Sequence, residues 1–194
     1  MKTLIFSDIH ASKRACQELM RAIPKYDQVI CCGDVVGYGT DPDYCIDFIV
    51  DNGIKAVKGN HESMVLGEIP VARHRVIEES IEWTKQKLSN KHREQLRQYP
   101  EKLELEEMLI MHTLANKYIY GPADVDAEVA TVLQNAREQL IVIGHTHTQY
   151  CFNCGDKTVA NPSSVTKGRK GSPRGYLIHS ENQLEFIPLI GEII

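Results

Sequence analysis

The chain has 194 residues, 42% of them hydrophobic, and 22 basic against 26 acidic side chains give it a net charge of −4. This length and balance are typical of a globular protein and argue against a disordered or coiled-coil chain. A mildly acidic chain also lacks the broad basic footprint of a general nucleic-acid-binding protein. We therefore expect one domain over residues 1–194.

The sequence shows neither a clear targeting segment nor the cysteine content of a disulfide-rich protein. The apolar stretch before Asp8 is too short for a signal peptide, and no apolar run approaches the length of a membrane span. Six cysteines are too few for a disulfide scaffold, so we predict a cytoplasmic, reduced protein without a membrane partner. Cys151 and Cys154 form a single C-x-x-C pair, and ordinary hairpin residues are the favoured interpretation because zinc would need a second pair.

The first half of the sequence alternates short apolar runs with amphipathic stretches. The spacing predicts strand, helix, strand, helix, strand at residues 3–7, 12–23, 28–32, 42–52 and 54–57. Such an order predicts right-handed crossovers and a parallel sheet.

The second half begins with a helical segment at about 63–100, which we interpret as an insertion. A strand at 103–111, a helix from Asp124 or Asp126 to about Arg137, and an apolar strand at 140–143 follow. Short β segments are then predicted at 149–154, 157–160, 175–179 and 183–188. This half therefore adds a more antiparallel sheet.

Residue types that bind metals follow each predicted buried strand. They are Asp8 and His10, Asp34, Asn60 and His61, His112, and His145 and His147. Because ligands bind beyond the carboxyl ends of strands in open α/β sheets, these side chains are expected to meet in one crevice. Each pair alone would be read as a turn or a cap, but five of the chain's eight histidines occupy these positions.

Imidazole, carboxylate and amide oxygen together suit borderline divalent metals, and no cysteine belongs to the set. Seven of these eight residues, all but His61, exceed the needs of one tetrahedral ion but suffice for two ions that share a carboxylate. Paired ions polarise a phosphoryl group and generate hydroxide near neutral pH. The sequence therefore predicts phosphoester hydrolysis with two divalent transition-metal ions, Mn²⁺ favoured and Fe, Zn, Ni or Co possible.

These motifs resemble the calcineurin-like metallophosphoesterase superfamily, in the same order along the chain. Asp8-x-His10, Gly33-Asp34, Gly59-Asn60-His61, His112 and Gly144-His145-x-His147 carry the likeness. The stretch from Gly33 to Ile49 and the segment 161–165 resemble the compact bacterial phosphodiesterase branch. The resemblance implies an α/β fold, a four-layer αββα sandwich of two mixed sheets with metals at the C-terminal ends of the strands.

The resemblance also implies roles for single residues. Asp8, His10, Asp34 and His147 would hold one ion, and Asp34, Asn60, His112 and His145 the other. Asp34 would bridge the two ions, and His61 would lie outside the ligand set. His61 and Asn60 would contact the phosphate, and His61 would help the leaving oxygen.

Three further features of the sequence bear on which substrate is expected. The arginine that follows Gly-Asp in protein Ser/Thr phosphatases is absent here, which makes a phosphoprotein substrate less expected. Arg73 and Arg75 lie in the helical insertion, where they could line a lid or simply face solvent. A basic loop of Lys167, Arg169, Lys170 and Arg174 could attract an anion, or be a charged surface loop.

We therefore predict a phosphodiesterase that acts on a small or nucleotide-like phosphoester through a metal-bridging hydroxide. A phosphomonoesterase or dinucleoside-polyphosphate hydrolase on the same site is the alternative enzyme. A non-catalytic protein-binding scaffold that retains the metal site is the alternative of another class. The apolar C-terminal stretch 184–194 is either an edge strand or part of a homodimer contact.

Overall fold

A computed structural model describes residues 1–181, 183–191 and 193. Six α-helices lie in these ranges: Lys13–Leu19 (α1), Pro42–Asp51 (α2), Asn60–Leu66 (α3), Arg75–Lys87 (α4), Asn90–Arg97 (α5) and Ala127–Asn135 (α6). Ten strands accompany them: Thr3–Phe6 (β1), Gln28–Cys31 (β2), Lys55–Ala56 (β3), Lys102–Glu104 (β4), Met108–Met111 (β5), Leu140–Val142 (β6), Gln149–Cys154 (β7), Lys157–Pro162 (β8), Gly175–Ser180 (β9) and Gln183–Pro188 (β10).

Local sequence signals explain several helix boundaries. Ser12 and Asp126 accept backbone N–H hydrogen bonds at the starts of α1 and α6, and Pro42 occupies the first turn of α2. Helix α1 ends at Leu19, whereas the sequence predicted a helix to about residue 23. A turn at residues 20–22 and a short 3₁₀ helix, Ile23–Lys25, follow it, with Pro24 inside the 3₁₀ helix.

The ten strands form two mixed five-stranded sheets. The first has the order β10-β9-β1-β2-β3, in which β1, β2 and β3 are parallel and β9 runs antiparallel to β1. The second has the order β4-β5-β6-β8-β7, in which β5, β6 and β8 are parallel. The predicted fold class, α/β with two mixed sheets, is therefore confirmed. The second sheet has parallel strands at its centre and antiparallel strands at both edges, whereas in the first sheet the parallel strand β3 is itself an edge.

Alternation along the strands divides the apolar core into layers. Ile5 and Ile30 of the first sheet pack against Ile110 and Val142 of the second. On the outer face of the first sheet, Leu4 joins the core formed with the first five helices. The outer face of the second sheet packs on α6 through a third cluster. The order of layers is thus helix, sheet, sheet, helix.

The predicted strand at 103–111 is wrong, because two strands occupy this range. β4 and β5 pair antiparallel, with Leu103 opposite Ile110, and the N–H of Leu105 donates to the carbonyl of Met108 at 2.9 Å. The exposed Glu106 and Glu107 form the turn between them. Charged residues at a solvent-facing turn interrupt the apolar run that periodicity alone had joined into one strand.

The structure also locates two histidines outside the strand ends and the C-terminal stretch. His92 is buried and contacts Ser89, Asp43 and Asp47. His179 is buried within β9. In the stretch 184–194, β10 is an edge strand of the first sheet, while positions 192 and 194 lie outside the described residues. In the described part of the chain, no helix is long and apolar enough to cross a membrane.

Candidate metal centre

The predicted ligand residues all follow the carboxyl ends of parallel strands. Asp8 and His10 come after β1, Asp34 after β2, and Asn60 and His61 begin α3 just beyond β3. His112 follows β5, and the pair His145 and His147 follows β6. Because β1, β2 and β3 belong to one sheet and β5 and β6 to the other, both sheets contribute side chains to one place.

One group of donor atoms contains Asp8, His10 and His147, whose ligand atoms lie within 4.8 Å of one another. Asp8 Oδ1 is 3.1 Å from His147 Nε2 and 3.6 Å from His10 Nε2. The two Nε2 atoms of these histidines are 3.0 Å apart, although the residues are 137 positions apart in sequence. Two imidazole nitrogens and a carboxylate oxygen therefore face a common point.

A second group contains Asp34, His112 and His145. Asp34 Oδ2 lies 3.3 Å from His112 Nε2, which is itself 3.1 Å from Asn60 Oδ1. The same Oδ2 atom is 4.0 Å from His10 Nε2 in the first group. Asp34 therefore stands between the two groups, at the position that a bridging carboxylate would need.

The backbone orients three of the imidazoles. His10 Nδ1 is 3.3 Å from the carbonyl of Val36, and His112 Nδ1 is 2.7 Å from that of Cys32. His147 Nδ1 is 3.1 Å from the carbonyl of Lys167. Since a carbonyl only accepts, each Nδ1 must carry a proton, which makes Nε2 the atom that can bind a metal once it is deprotonated.

Unusual backbone conformations accompany these side chains. Positive φ angles are found at five predicted ligands: Asp8 (58°), His10 (51°), Asp34 (54°), His145 (70°) and His147 (55°). Left-handed conformations are costly for residues other than glycine and cluster at functional sites. Ser163 has φ 71° where the related segment of the branch has glycine, and its hydroxyl donates to the carbonyl of Pro173 at 2.8 Å.

Glu62 hydrogen-bonds the two loops that carry Asp34 and Asn60. Its carboxylate is fully buried and accepts from the N–H groups of Asp34 (2.9 Å), Val36 (3.0 Å) and Gly59 (2.7 Å). Its contacts go to these loops rather than to His61. This role was not predicted from the sequence, although a glutamate three residues after the N-cap of a helix, here Gly59, is a known capping signal.

His61 lies against the first group, and its exposed fraction is 3%. Its ring is 4.8 Å from that of His10 and 4.7 Å from that of Tyr38, and its Nε2 is 3.9 Å from Asp34 Oδ2. Gly37 adopts φ 86°, and a Cβ there would lie 2.0 Å from His61 Nδ1. The ring is thus fixed on all these sides.

Burial and charge act in opposite directions on the acids and imidazoles. Burial disfavours the charged form of Asp34, but the neighbouring imidazoles of His112 and His61 outweigh it and hold its pKa well below the usual range. Burial also opposes the charged form of His112, yet the Asp34 carboxylate raises its pKa to about 10. For His61 and His145 burial dominates and lowers the pKa to about 3 and about 4.

This donor set fits divalent metals. Two buried carboxylates and inward-facing Nε2 atoms create a strong demand for positive charge, which the proton on His112 meets only in part. Among the described residues no cysteine belongs to either group, which favours borderline ions over a structural zinc.

A cleft of about 890 Å³ opens beside the second group. Asn60, His112 and His145 are among the residues that line it. Met64 and Pro70 of the helical segment and the exposed Tyr118 also belong to the lining. This volume is in the range of small-molecule sites.

The predicted substrate contacts from the helical segment are not at the cleft. Arg73 and Arg75 are exposed, Arg75 pairs with Glu79 at 2.7 Å, and neither residue lines the cleft. Asn60 and His61, the other two predicted contacts, are at the centre as described above.

The basic loop divides into two parts. Arg174 is buried, not on a charged surface, and pairs with Glu18 at 2.8 Å. Burial raises the pKa of Tyr38, and the nearby Arg169 guanidinium opposes this rise. Lys170 Nζ lies 3.2 Å from the centre of the Tyr120 ring. Arg174 is therefore structural, whereas Arg169 reaches a side chain that borders the centre.

Comparisons with known proteins agree with this geometry. The symmetrical bis(5′-nucleosyl)-tetraphosphatase of Haemophilus ducreyi is 28% identical over 171 residues, 81% of this chain and 59% of that protein. An uncharacterized protein of Methanocaldococcus jannaschii is 36% identical over 66 residues, 33% of this chain and 27% of that protein. The matches thus span less than two thirds of either relative.

A crystal structure of a metallophosphoesterase from Sphaerobacter thermophilus has the same fold. It superimposes with a TM-score of 0.77 at 23% identity, covering 98% of this chain and 89% of that one. The family model of the calcineurin-like phosphoesterase superfamily domain matches residues 1–183. With its two-sheet fold and its strand-end cluster of aspartates and histidines, the chain belongs to the calcineurin-like phosphoesterase superfamily.

Proposed function

We propose that the protein is a phosphodiesterase that works with two divalent transition-metal ions, Mn²⁺ most favoured. The observation that carries the proposal is the meeting of two donor groups, Asp8–His10–His147 and Asp34–His112–His145. Asp34 Oδ2 lies 4.0 Å from His10 Nε2 of the first group, and Asn60 Oδ1 lies 3.1 Å from His112 Nε2. Asp8, His10, Asp34 and His147 would hold one ion, and Asp34, Asn60, His112 and His145 the other. When bound, such a pair neutralises phosphate charge and supplies a nucleophile near neutral pH.

The chain's own residues position the substrate. Asn60 lies between the centre and the cleft, so that its amide can donate to a phosphate oxygen. His61 is neutral, because burial lowers its pKa to about 3. A neutral imidazole with its proton on Nε2 donates a hydrogen bond to the phosphate, and this bond strengthens as charge develops on the leaving oxygen.

The charge of the cleft supports a diester. A phosphodiester carries one negative charge and a monoester carries up to two. Lys58 is the one lysine or arginine among the described residues that line the cleft, and Glu68 neutralises it through contacts of 2.9 and 3.0 Å. The absence of the Ser/Thr phosphatase arginine after Asp34 points the same way.

A monoesterase or dinucleoside-polyphosphate hydrolase is the second candidate. The name of the Haemophilus relative favours the polyphosphate reaction, and Arg169 beside Tyr38 offers a cation near the first group. A protein-binding scaffold would need none of the buried donors, so their retention makes it the weaker reading.

The test compares bis-p-nitrophenyl phosphate with p-nitrophenyl phosphate, using metal-stripped protein to which Mn²⁺ is returned. We expect Mn-dependent turnover that favours the diester, and a loss of about a thousandfold or more in Asp34→Asn, the scale on which a charge-stabilising group acts. His92→Gln is the matched control, since that histidine is buried within the helical segment.

Preference for the monoester would overturn the diester assignment and keep the centre. Unchanged activity in Asp34→Asn would overturn the two-metal proposal. No turnover of either ester, with two ions bound per chain, would favour the scaffold.

A further inference from the structure

Tyr118 is an exposed aromatic residue at the mouth of the cleft. Its exposed fraction is 55%, yet its ring lies 4.3 Å from that of His145, a predicted metal ligand. Tyr120 is nearly parallel to it, with an interplanar angle of 13° and a centroid distance of 6.5 Å. Tyr118 therefore presents an exposed aromatic ring in the lining of the cleft, directly beside a predicted metal ligand.

The loop holds Tyr118 in place although the ring faces solvent. Ala115 (φ 52°) and Asn116 (φ 56°) form a tight turn, closed by the N–H of Lys117 donating to the carbonyl of Leu114 at 3.0 Å. Lys117 pairs with Asp126 at 2.6 Å, and Ile119 is fully buried. Both neighbours of Tyr118 are thus anchored. A fixed, exposed ring offers contact area at little entropic cost, which is how binding surfaces use tyrosine.

The cleft beyond Tyr118 is unsuited to a second anionic group. Lys58 is neutralised by Glu68, and Glu101 lies 3.8 Å from the same ammonium. Two carboxylates against one ammonium leave this part of the lining with a net negative charge. The same lining contains the apolar residues Met64, Pro70 and Met111.

We propose that the cleft binds a flat, uncharged aromatic ring of the substrate, stacked on Tyr118, while the phosphate lies at Asn60 and His112. The substrate class is then a phosphoester of an aryl alcohol or a nucleoside, with its negative charge confined to the phosphorus at the centre. Polyphosphate chains would not extend into this cleft. The inference rests on the proposed function for the position of the phosphate.

The test measures dissociation constants by calorimetry on the Mn-loaded protein. Phenylphosphonate and methylphosphonate serve as probes, because their C–P bonds are not hydrolysed and they differ only by the ring. We expect the phenyl compound to bind about tenfold more tightly, as base–aromatic stacking does elsewhere. Tyr118→Leu should remove this preference, and Tyr44→Leu, at a half-exposed tyrosine of α2 outside the cleft, should keep it.

Two further probes test the charge and the source of the ring. 4-Carboxyphenylphosphonate should bind more weakly than phenylphosphonate, and the double variant Glu68→Gln, Glu101→Gln should reduce that difference. An adenosine 5′-phosphonate that binds more tightly than phenylphosphonate, with loss in Tyr118→Leu, would identify a nucleoside as the carrier of the ring.

An equal phenyl-to-methyl ratio in the wild type and in Tyr118→Leu overturns the proposal. The readout is separate from catalysis. A Tyr118-dependent ratio in a protein that hydrolyses neither p-nitrophenyl ester would support the aromatic cleft and refute the proposed function.

Discussion

Side chains of the candidate metal centre are buried and held by the backbone, whereas those of the cleft beside it are partly exposed and mostly apolar. His112 shows the first pattern, with Nδ1 fixed by the carbonyl of Cys32 and Nε2 directed inward. Tyr118 shows the second, since its ring meets solvent. Because the two regions differ in this way, we expect substitutions at the centre to change metal affinity and kcat, and substitutions in the cleft to change the affinity for the substrate.

The largest effect is expected from Glu62→Gln. This substitution weakens the hydrogen bonds that hold the loops of the centre and replaces no predicted ligand. Both carboxylate oxygens accept N–H bonds, and an amide nitrogen in place of one leaves Val36 or its neighbours unsatisfied. We expect a loss of about 1–3 kcal/mol in the free energy of unfolding and of about 10–100-fold in Mn²⁺ affinity.

Urea titration and metal titration measure these two losses. Glu79→Gln is the matched control, because Glu79 forms only an exposed pair with Arg75. Equal metal affinity in both variants would show that the loops keep their positions without Glu62.

The second largest effect is expected from Gly37→Ala, because the added methyl group would collide with His61 although Gly37 is not a predicted ligand. The added Cβ would lie 2.0 Å from His61 Nδ1, so the ring must move. We expect a fall of about tenfold or more in kcat for the diester, since small displacements of a reacting group are costly, with Mn²⁺ content unchanged.

Gly53→Ala provides the comparison, since Gly53 also has positive φ (59°) but nothing lies within 4 Å of its added Cβ. It should lose only some stability through backbone strain. A Gly37→Ala enzyme with full kcat would remove His61 from the reaction.

The pH dependence of the metal-free protein should separate the buried centre from the rest. His61 and His145 have pKa values lowered by burial to about 3 and about 4, against about 6.5 when unfolded. The unfolded chain therefore takes up protons first, and stability falls as pH drops from 6.5 towards 4. The pKa of His112 is raised to about 10, so its contribution is present below 6.5 and lost as pH rises towards 10.

Urea midpoints across this range should thus peak near neutral pH. His112→Gln should flatten the alkaline side and leave the acid side, whereas the exposed His74→Gln should change neither. An alkaline side that persists in His112→Gln would mean that Asp34 does not hold the proton there.

The smallest effect is expected from Arg73→Ala combined with Arg75→Ala. Both side chains are exposed and neither lines the cleft, so KM for the diester should change by less than about twofold, as for exposed charges elsewhere. A several-fold rise in KM would instead place the helical segment over the substrate.

The candidate metal centre could be predicted from the sequence because the residues that follow parallel strands lie together at one edge of a sheet. Asp8, Asp34 and His112 could be found in this way without any knowledge of packing. The turn at Glu106 was missed because apolar residues flank it on both sides. Tyr118 was missed because a tyrosine in a loop gives no periodic signal, and only the positions of His145 and Tyr120 give it meaning.

The 137 positions between His10 and His147 have a consequence for biosynthesis. An unfinished chain that ends before β6 possesses Asp8 and Asp34 but lacks His145 and His147, one imidazole for each group of donors. Contacts of such long sequence separation form late in folding. Under the proposed function, stable metal binding would therefore await the synthesis of His145 and His147, and bound ions would stabilise only those chains in which both residues have reached the centre.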